Sequence, residues 1–415
     1  MAKSNRKKSI FNVTEEFGGK LRKQYTYVVS HYNFRYNKVT NLVEVQTLKG
    51  GKITEDYKPL DDRFRNLILM RMKKEDLDFS VPRFREFVEN DDISIPYNIL
   101  DEYFLNLPEW SGEIDYIGEL AKTVKTDDDE FFYDVLKRYL VGVVDCLLNN
   151  RSNDICLILQ GDQGLGKTKW MKKLMPEDML DDFFHESPID TKNKEHDEYL
   201  STKWFIVLDE LEAMRSNEIN ALKAFVTKTQ ISHRKVHGHR NTRFPRRASF
   251  LGNVNDPEFL SDTTGNRRWL AFAAFFIDYE HNIDIDKVYA QALHLHQSGT
   301  FRHWFNKTEI KELNERNEQF RIKSKEEELL VQNFDFPDGE NGHGEWMSST
   351  DVSAHICSLN PRSNSNLNNR TMGRALMKNC NHIDPKAKTS KSVTKKYYLI
   401  KTSEPAPMDE NGVSF

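Results

Sequence analysis

The sequence has few cysteines and no long apolar segment. Its four cysteines, in 415 residues, show no CxxC spacing, which excludes a zinc ribbon and argues against a disulfide framework. The longest apolar run, residues 270–277, has about eight residues, whereas a transmembrane helix needs roughly 20. The basic N-terminal residues are not followed by the apolar segment of a signal peptide. We therefore expect a cytoplasmic protein without a membrane partner.

Acidic residues are missing from residues 219–255, although the whole chain has 64 of them and a net charge of −4. Eight basic residues and three histidines lie in this stretch: Lys223, Lys228, His233, Arg234, Lys235, His237, His239, Arg240, Arg243, Arg246 and Arg247. An acid-free basic stretch in a slightly acidic protein predicts a local surface for polyanions. The alternative is a solvated loop whose charges find partners elsewhere in the fold.

The strongest motif is a glycine-rich loop that ends in Lys and Thr. Residues 161–168, GDQGLGKT, match G-x-x-x-x-G-K-[ST] completely. The apolar residues 155–160 before the loop predict a buried strand, and residues 168–174 after it predict a helix. Glycines admit backbone N–H groups to phosphates, Lys167 would reach the β- and γ-phosphates, and the Thr168 hydroxyl would ligate Mg²⁺. The alternative is a simple glycine turn between a strand and a helix.

The motif therefore predicts a site for ATP and Mg²⁺. Its nucleotide-binding residues are Gly161, Asp162, Gln163, Gly164, Leu165, Gly166, Lys167 and Thr168. A second segment, residues 204–210, is an apolar strand that ends in Asp209 and Glu210. In an ATPase, Asp209 would help to hold Mg²⁺, and Glu210 would deprotonate the attacking water. The paired acid favours hydrolysis over phosphoryl transfer to a small acceptor, although strands often end in charged turns.

Two further candidates follow along the chain. Asn253 ends a predicted strand, and there an amide can hold the attacking water against the γ-phosphate; the alternative is a turn residue. Arg267 and Arg268 lie on the next predicted turn. A guanidinium fork suits the charge that spreads over the γ-phosphoryl oxygens, so one of them is a candidate arginine finger for a neighbouring subunit. The alternative is a structural arginine paired with a carboxylate.

With these motifs the chain resembles the virulence-associated protein E family, superfamily-3-type helicase domains of prophages, satellites and mobile elements. The segments that carry the resemblance are YNFRYN (32–37), PYNILDEYFLNLPEWSGEID (96–115), GDQGLGKT (161–168), WFIVLDELE (204–212), LKAFVTK (222–228), RRASFLGNVND (246–256) and FLSDTTGNRRW (259–269). The resemblance implies an α/β fold with an AAA+-like P-loop NTPase core that assembles into a ring on DNA. We expect a hexameric, ATP-dependent DNA helicase in the replication of a phage or mobile element. The alternative is a DNA-binding initiator ATPase that loads replication factors without unwinding.

The resemblance also implies a role for the basic stretch. In such helicases the segment that corresponds to residues 230–243 forms a hairpin that projects into the central channel. Its predicted contacts to single-stranded or forked DNA are Arg234, Lys235, His237, His239 and Arg240. Many relatives carry a primase domain on the same chain; because the resemblance begins near the N-terminus here, we expect a separate primase as a partner.

Composition and spacing suggest how the chain is divided. We expect an N-terminal accessory region of mixed α/β structure, with a hairpin at residues 25–46, a P-loop core, a helical extension, a Gly- and Pro-rich linker, a winged-helix-like domain and a disordered tail. Their predicted bounds are residues 1–120, 121–284, 285–333, 334–346, 347–401 and 402–415. The winged-helix-like domain is predicted from two helices and a strand with many basic residues, which indicates contact with DNA or, as an alternative, a packing role alone.

Overall fold

The computed structural model describes most of the chain and divides it into two compact units, residues 1–319 and 320–415. The described residues are 18–149, 151–191, 193–209, 211, 214, 216–229, 231–234, 241–260, 268–340, 343–359, 366–380, 383 and 395–402. Among them, every helix is too short or too polar to cross a lipid bilayer. The fold is mixed α/β, as the sequence predicts.

Unit 1 begins with a five-stranded sheet and three helices. In chain order these elements are α1 (Gly19–His31), β1 (Tyr32–Asn37), β2 (Leu42–Lys49), β3 (Lys52–Ile53), β4 (Lys58–Pro59), α2 (Asp62–Lys74), α3 (Val81–Val88) and β5 (Ser94–Tyr97). The strand order is β3-β2-β1-β5, and β4 pairs with the other part of β2. A separate apolar core lies under this sheet and is rich in aromatic rings, including Phe34, Phe84 and Phe87.

The predicted hairpin at residues 25–46 is wrong over its first part. Residues 25–31 belong to helix α1, and the hairpin pairs Tyr32 with Thr47 and Asn37 with Leu42. Tertiary packing explains the difference. Val28 is fully buried, and the ring of Tyr25 stacks on the ring of Phe87 in α3, with 4.2 Å between the ring centres. These tertiary contacts override the strand propensity of the segment.

The rest of unit 1 is a six-stranded sheet with helices around it. Its elements are α4 (Ile99–Asn106), α5 (Tyr116–Ala121), β6 (Val124–Thr126), α6 (Asp129–Asn149), β7 (Cys156–Gln160), α7 (Lys167–Lys172), α8 (Leu180–Phe183), β8 (Phe184–His185), α9 (Lys194–Thr202), β9 (Phe205–Asp209), α10 (Ser216–Val226), β10 (Ile231–Arg234), β11 (Asn241–Phe244), β12 (Ser249–Val254), β13 (Trp269–Ile277), α11 (Ile285–Gln297) and α12 (Lys307–Asn317). Strands β10 and β11 form a separate antiparallel hairpin.

The six-stranded sheet has the order β6-β13-β7-β12-β9-β8. All neighbouring strands are parallel except β6, which runs antiparallel to β13. Strands β7, β9 and β12 are buried along most of their length, as expected for a parallel sheet covered on both faces. Because these strands are parallel, the carboxyl ends of β7, β9 and β12 lie together along one side of the sheet, which we call the carboxyl edge. The opposite side, where the same strands begin, is the amino edge.

Unit 2 is a small α/β unit with its own apolar core. It contains α13 (Lys325–Asn333), β14 (Phe334–Asp335), β15 (Glu345–Met347), α14 (Ser349–Leu359), α15 (Asn369–Asn379) and β16 (Tyr397–Lys401). The strand order is β14-β16-β15, and both pairs are antiparallel. Helices α14 and α15 and strand β16 lie within residues 347–401, where the sequence predicts two helices and a strand, and Ser324 caps α13 by accepting from the Glu327 N–H.

The predicted helical extension, residues 285–333, is split between the units, since α11 and α12 lie in unit 1 and α13 lies in unit 2. The predicted linker, residues 334–346, lies inside unit 2. Its first residue, Phe334, is buried in β14 because its ring packs in the core of the unit, and its end forms β15. Of the predicted disordered tail, residues 403–415 lie outside the described part.

Candidate functional site

Strand β7 leads into a glycine loop that ends at helix α7, as the sequence predicts. Gly164 and Gly166 have φ angles of 87° and 93°, in the left-handed region where other side chains are strained. A Cβ atom on Gly166 would also lie 2.0 Å from Cδ1 of Tyr279, whereas a Cβ on Gly164 would meet open space. The loop therefore has a shape that glycine permits, closed on the Tyr279 side and open above Gly164.

Lys167, the first residue of α7, points back over this loop. Its side chain is buried, with 5% exposed. Its Nζ atom donates to the carbonyl oxygens of Gly161 at 2.5 Å and Asp162 at 3.0 Å, and to Oδ1 of Asn255 at 3.0 Å. The ammonium is thus held at the mouth of the loop by uncharged oxygen atoms. Phosphate oxygens are stronger acceptors and could replace them.

The next residue, Thr168, contacts the neighbouring strand. Asn253 of β12 donates from Nδ2 to Oγ1 of Thr168 at 3.2 Å. The other amide atom of Asn253, Oδ1, is buried without a hydrogen-bond partner in the described part of the chain. A buried acceptor without a donor is costly, of order 1–3 kcal/mol, and such atoms are common where a ligand or water completes the site.

Asp209 completes the cluster. It is the exposed last residue of β9 and lies directly opposite Asn253 in the parallel register. Strand β12 separates β9 from β7, so Asp209 lies about 10 Å from the loop strand, or two strand spacings. The structure thus brings Lys167, Thr168, Asn253 and Asp209 to one edge of the sheet. Glu210, the predicted base, lies outside the described residues.

Arg268 lies at the amino edge instead. The next residue, Trp269, pairs with Cys156 at the start of β7, whereas the glycine loop follows the end of that strand. The two sites are roughly 16 Å apart along the strand, so Arg268 does not contact the loop of its own chain. Arg268 lines a cleft with His303 and Trp304. Arg267 lies outside the described residues.

Two charged side chains, Arg268 and Asp154, line this cleft. Burial lowers the pKa of the His303 imidazole from its ordinary value. The side chain of Trp304 is 60% exposed beside it. An exposed aromatic ring next to an arginine is a combination that is enriched at protein interfaces.

Only part of the basic stretch is available to a polyanion. Lys223, Arg246 and Arg247 are buried. Lys228 forms an ion pair with Asp197 at 2.5 Å. For these four residues the alternative expectation fits better, namely that basic residues of this stretch have partners within the fold. Arg243 on β11 is exposed.

The predicted DNA contacts are the last residue of β10 and residues that lie between β10 and β11 in the sequence. Arg234 ends β10 and pairs with Asn241, the first residue of β11. The Arg234 side chain is not among the described parts. Lys235, His237, His239 and Arg240 lie outside the described residues, and their DNA contacts stay a prediction.

Arg246 binds both ends of this hairpin to the sheet. Its guanidinium donates to the carbonyl oxygens of Val226, Lys228, Ala248 and Asn153, the last three at 3.1, 3.1 and 3.3 Å. Val226 ends α10, just before β10, and Arg246 itself follows β11. Burial lowers the pKa of Arg246 from its ordinary value, but an arginine remains charged in a protein. Its role is therefore to fix the base of the hairpin.

Sequence reasoning missed two residues of the carboxyl edge. Asn255, which accepts from Lys167, lies two residues after Asn253, and the Asn-Val-Asn pattern could have drawn attention to it. Tyr279, which closes the loop at Gly166 and lies 4.6 Å from Nζ of Lys169, is more than 100 residues away along the chain. No local pattern in the sequence indicates that contact.

Comparison with known proteins gives a family and structural neighbours, of which two are described here. A model of the virulence-associated protein E-like domain matches residues 105–322, more than half of the chain. No curated protein sequence matches the chain. An apo structure of the NrS-1 C-terminal region is 14% identical, with a TM-score of 0.38, and the match covers 74% of this chain and 73% of that one. An A-form apo structure of the same region is 13% identical, with a TM-score of 0.37, over 71% of this chain and 65% of that one.

Proposed function

The chain belongs to the family of virulence-associated protein E-like domains, and from that premise we propose that it is an ATP-hydrolysing DNA helicase in the replication of a phage or mobile element. The observation that supports the proposal is the cluster at the carboxyl edge of the sheet. Lys167 and Thr168 follow a glycine loop, Asn253 contacts Thr168, and Asp209 lies opposite Asn253. Cation, hydroxyl, amide and carboxylate are the groups that bind and hydrolyse a nucleoside triphosphate.

The residues of this edge fit ATP. Lys167 is held by three uncharged oxygen atoms, which the β- and γ-phosphates would replace. The backbone of the loop is open above Gly164, where phosphate oxygens can approach N–H groups. Gly161, Asp162, Gln163, Leu165 and Gly166 supply the rest of that backbone. The proposed contacts are all to phosphate groups, which every nucleoside triphosphate shares. They therefore fit this class of ligand, and ATP is the expected member.

The same edge also suits a magnesium ion. In the described ranges, no group of three or more His, Cys, Asp or Glu side chains is arranged to hold a metal. Mg²⁺ is usually bound by one or two protein oxygens together with substrate phosphates and water. Thr168 and Asp209 would hold it, and the ion would neutralise phosphate charge when bound.

The remaining residues act on the water and on the developing charge. Asn253 would orient the attacking water with the Oδ1 atom that has no partner in the described part of the chain. Glu210, next to Asp209 in the sequence, would accept the proton of that water. Arg267 or Arg268 would stabilise charge on the γ-phosphoryl oxygens, and the position of Arg268 at the amino edge favours a neighbouring subunit as the donor. This arrangement needs an oligomer, and a hexameric ring is the expected one.

DNA would contact the β10–β11 hairpin. Its predicted contact residues are Arg234, Lys235, His237, His239 and Arg240. Arg246 connects the base of this hairpin to strand β12, which carries Asn253. Movement of β12 during hydrolysis could therefore be passed to the hairpin and the bound strand. The alternative is an initiator ATPase that binds DNA and loads other factors, such as a separate primase, without unwinding.

The experiment that tests the proposal measures ATP hydrolysis and strand separation on the same preparation. We expect Mg²⁺-dependent hydrolysis that single-stranded DNA stimulates, and displacement of one strand from a forked duplex. Lys167→Ala should abolish both activities. The control is Lys172→Ala, which removes a half-buried lysine of the same helix, paired with Glu186, and should leave both activities intact.

Each result leads to a different conclusion. Hydrolysis and DNA binding without strand displacement would favour the initiator ATPase. Absence of hydrolysis by the wild-type chain, with and without DNA, would refute the proposed function.

A further inference from the structure

Unit 2 contains a second acid-poor stretch that the proposed ATPase cycle does not use. Residues 361–401 hold ten basic residues and a single acid, Asp384. A basic stretch of this kind can be a solvated face or a surface for a polyanion. For the described residues, the position of helix α15 distinguishes between these two interpretations.

Helix α15 has one buried face and one exposed cationic face. Met372 and Leu376 are fully buried in the core of the unit. Arg370 and Arg374, one turn apart, are exposed, and Met377 is 56% exposed on the following turn. A helix in which the apolar stripe is satisfied by its own unit needs no partner for stability, so the exposed face is free to bind one.

Two lysines extend this face. Lys395, just before β16, lies with its Nζ 3.9 Å from Sδ of Met377. Lys378 is 39% exposed and contacts Glu327 at 3.3 Å. The exposed basic residues therefore come from two elements, α15 and the start of β16, and meet at Met377.

Among the cations of this face, Lys378 pairs with Glu327, whereas Arg370 and Arg374 have no carboxylate partner among the described residues. Glu327 is buried, and both of its carboxylate oxygens accept from Arg321 at 2.5 Å. Glu326 accepts from the backbone N–H of Asn368 at 2.9 Å, at the start of the helix. Arg370 and Arg374 thus present their guanidinium groups to solvent on a face whose neighbouring carboxylates are already engaged.

We propose that the exposed face of α15 binds duplex DNA. Arg370, Arg374, Lys378 and Lys395 would contact the backbone phosphates, and the arginines could also reach base edges. The face is a convex helical ridge, and the major groove, about 12 Å wide, admits an α-helix. Single-strand sites usually add aromatic rings on which bases stack, and α15 contains no aromatic residue. These features favour a duplex over a single strand.

This surface is independent of ATP hydrolysis and goes beyond the proposed function. In this proposal unit 2 binds the duplex, whereas the β10–β11 hairpin of unit 1 is the candidate contact for a single strand. A chain that holds both forms of DNA could remain on unopened duplex while one strand is engaged elsewhere.

The test measures the binding of the full chain, without nucleotide, to a labelled duplex and to a single strand of the same length. Arg370→Ala combined with Arg374→Ala should weaken duplex binding about tenfold and reduce the salt slope by about two units, because two phosphate contacts are lost. Single-strand affinity should change less than about twofold. The matched control is Lys307→Ala with Lys311→Ala, which removes two exposed lysines at the same spacing on α12.

A charge reversal, Arg374→Glu, provides a second variant and should weaken duplex binding further. Both sites are exposed, so thermal unfolding should be unchanged in each variant. Unchanged duplex affinity in both variants would overturn the proposal, as would equal losses for duplex and single strand or an equal loss in the lysine control. Because nucleotide is absent, a chain that proves unable to hydrolyse ATP would still give a clear answer.

Discussion

The two edges of the six-stranded sheet each contain a buried cation bonded to carbonyl oxygens, yet the two cations have different surroundings. At the carboxyl edge, Lys167 bonds to its own loop, next to Asn253, whose Oδ1 has no partner in the described part of the chain. At the amino edge, Arg246 donates to four carbonyl groups from separate segments of the chain. In the proposed function the first cation exchanges its acceptors for the phosphate oxygens of a nucleotide, whereas the second connects separate elements of the fold.

This comparison teaches that a basic residue near a functional motif can serve the fold alone. Arg246 and Lys167 are both 5% exposed or less. Burial therefore does not separate the two roles. They differ in the location of the backbone acceptors, which lie in one loop for Lys167 and in separate segments of the chain for Arg246.

The largest effect is expected at the amino edge. Arg246→Met should lower the free energy of unfolding by about 3 kcal/mol, because buried carbonyl groups lose their donor, with some compensation from removal of a buried charge. Chemical denaturation measures this change. Arg243→Met, which removes an exposed arginine two residues beyond Asn241 on β11, should change stability by less than about 0.5 kcal/mol. Equal stability of Arg246→Met and the wild type would show that the fold does not need this cation.

At the carboxyl edge the effect should fall on turnover rather than on stability. Glu210→Gln should bind ATP but hydrolyse it at least about 100-fold more slowly, from loss of the general base. Steady-state hydrolysis and nucleotide binding measure the two quantities. Glu218→Gln on α10 serves as the control. If turnover stays at the wild-type rate, Glu210 is not the base.

A smaller loss is expected at Asn253. Asn253→Ala removes the contact to Thr168 and the acceptor proposed for water, so turnover should fall about tenfold, as for one hydrogen bond of roughly 1.4 kcal/mol. The thermal midpoint should stay the same or rise, since a buried oxygen without a partner in the described residues is removed. If Asn253→Ala lowers stability strongly but leaves turnover unchanged, Asn253 has a structural role, as Arg246 does.

The smallest expected effect is a partial recovery of ATP hydrolysis when a variant of the carboxyl edge is mixed with a variant of the amino edge. Lys167→Ala and Arg268→Ala should each be inactive, but an equal mixture should regain about a quarter of the wild-type rate if the arginine acts across a subunit interface. ATP hydrolysis by the mixture, with assembly checked by light scattering, provides the measurement. Co-assembled subunits without any rescue would contradict the proposed position of the arginine.

Much of the candidate site could be predicted from the sequence. The strand, loop and helix around residues 155–174 are local features, since the apolar run, the glycines and the helix-forming residues are adjacent. The same holds for the strands that end in Asp209 and contain Asn253. Parallel pairing then brings their carboxyl ends together, a consequence that follows from the order of motifs along the chain.

Other features could not be predicted, because they depend on contacts between distant residues. Residues 25–31 have the composition of a strand, but packing of Tyr25 on Phe87 makes them helical. The Gly- and Pro-rich residues 334–346 look like a linker, but Phe334 is drawn into the core of unit 2. Tyr279 closes the loop at Gly166 from more than 100 residues away.

The groups that meet at the carboxyl edge could be predicted from short segments of sequence, because glycine conformation, strand periodicity and the order of Lys167, Asp209 and Asn253 are local properties. Only the tertiary structure decided which basic residues remain available. Lys223, Arg246 and Arg247 are enclosed by the fold, while Arg243, Arg370 and Arg374 face solvent. The physical reason is that the burial of a charge depends on the elements packed around it, which come from distant parts of the chain.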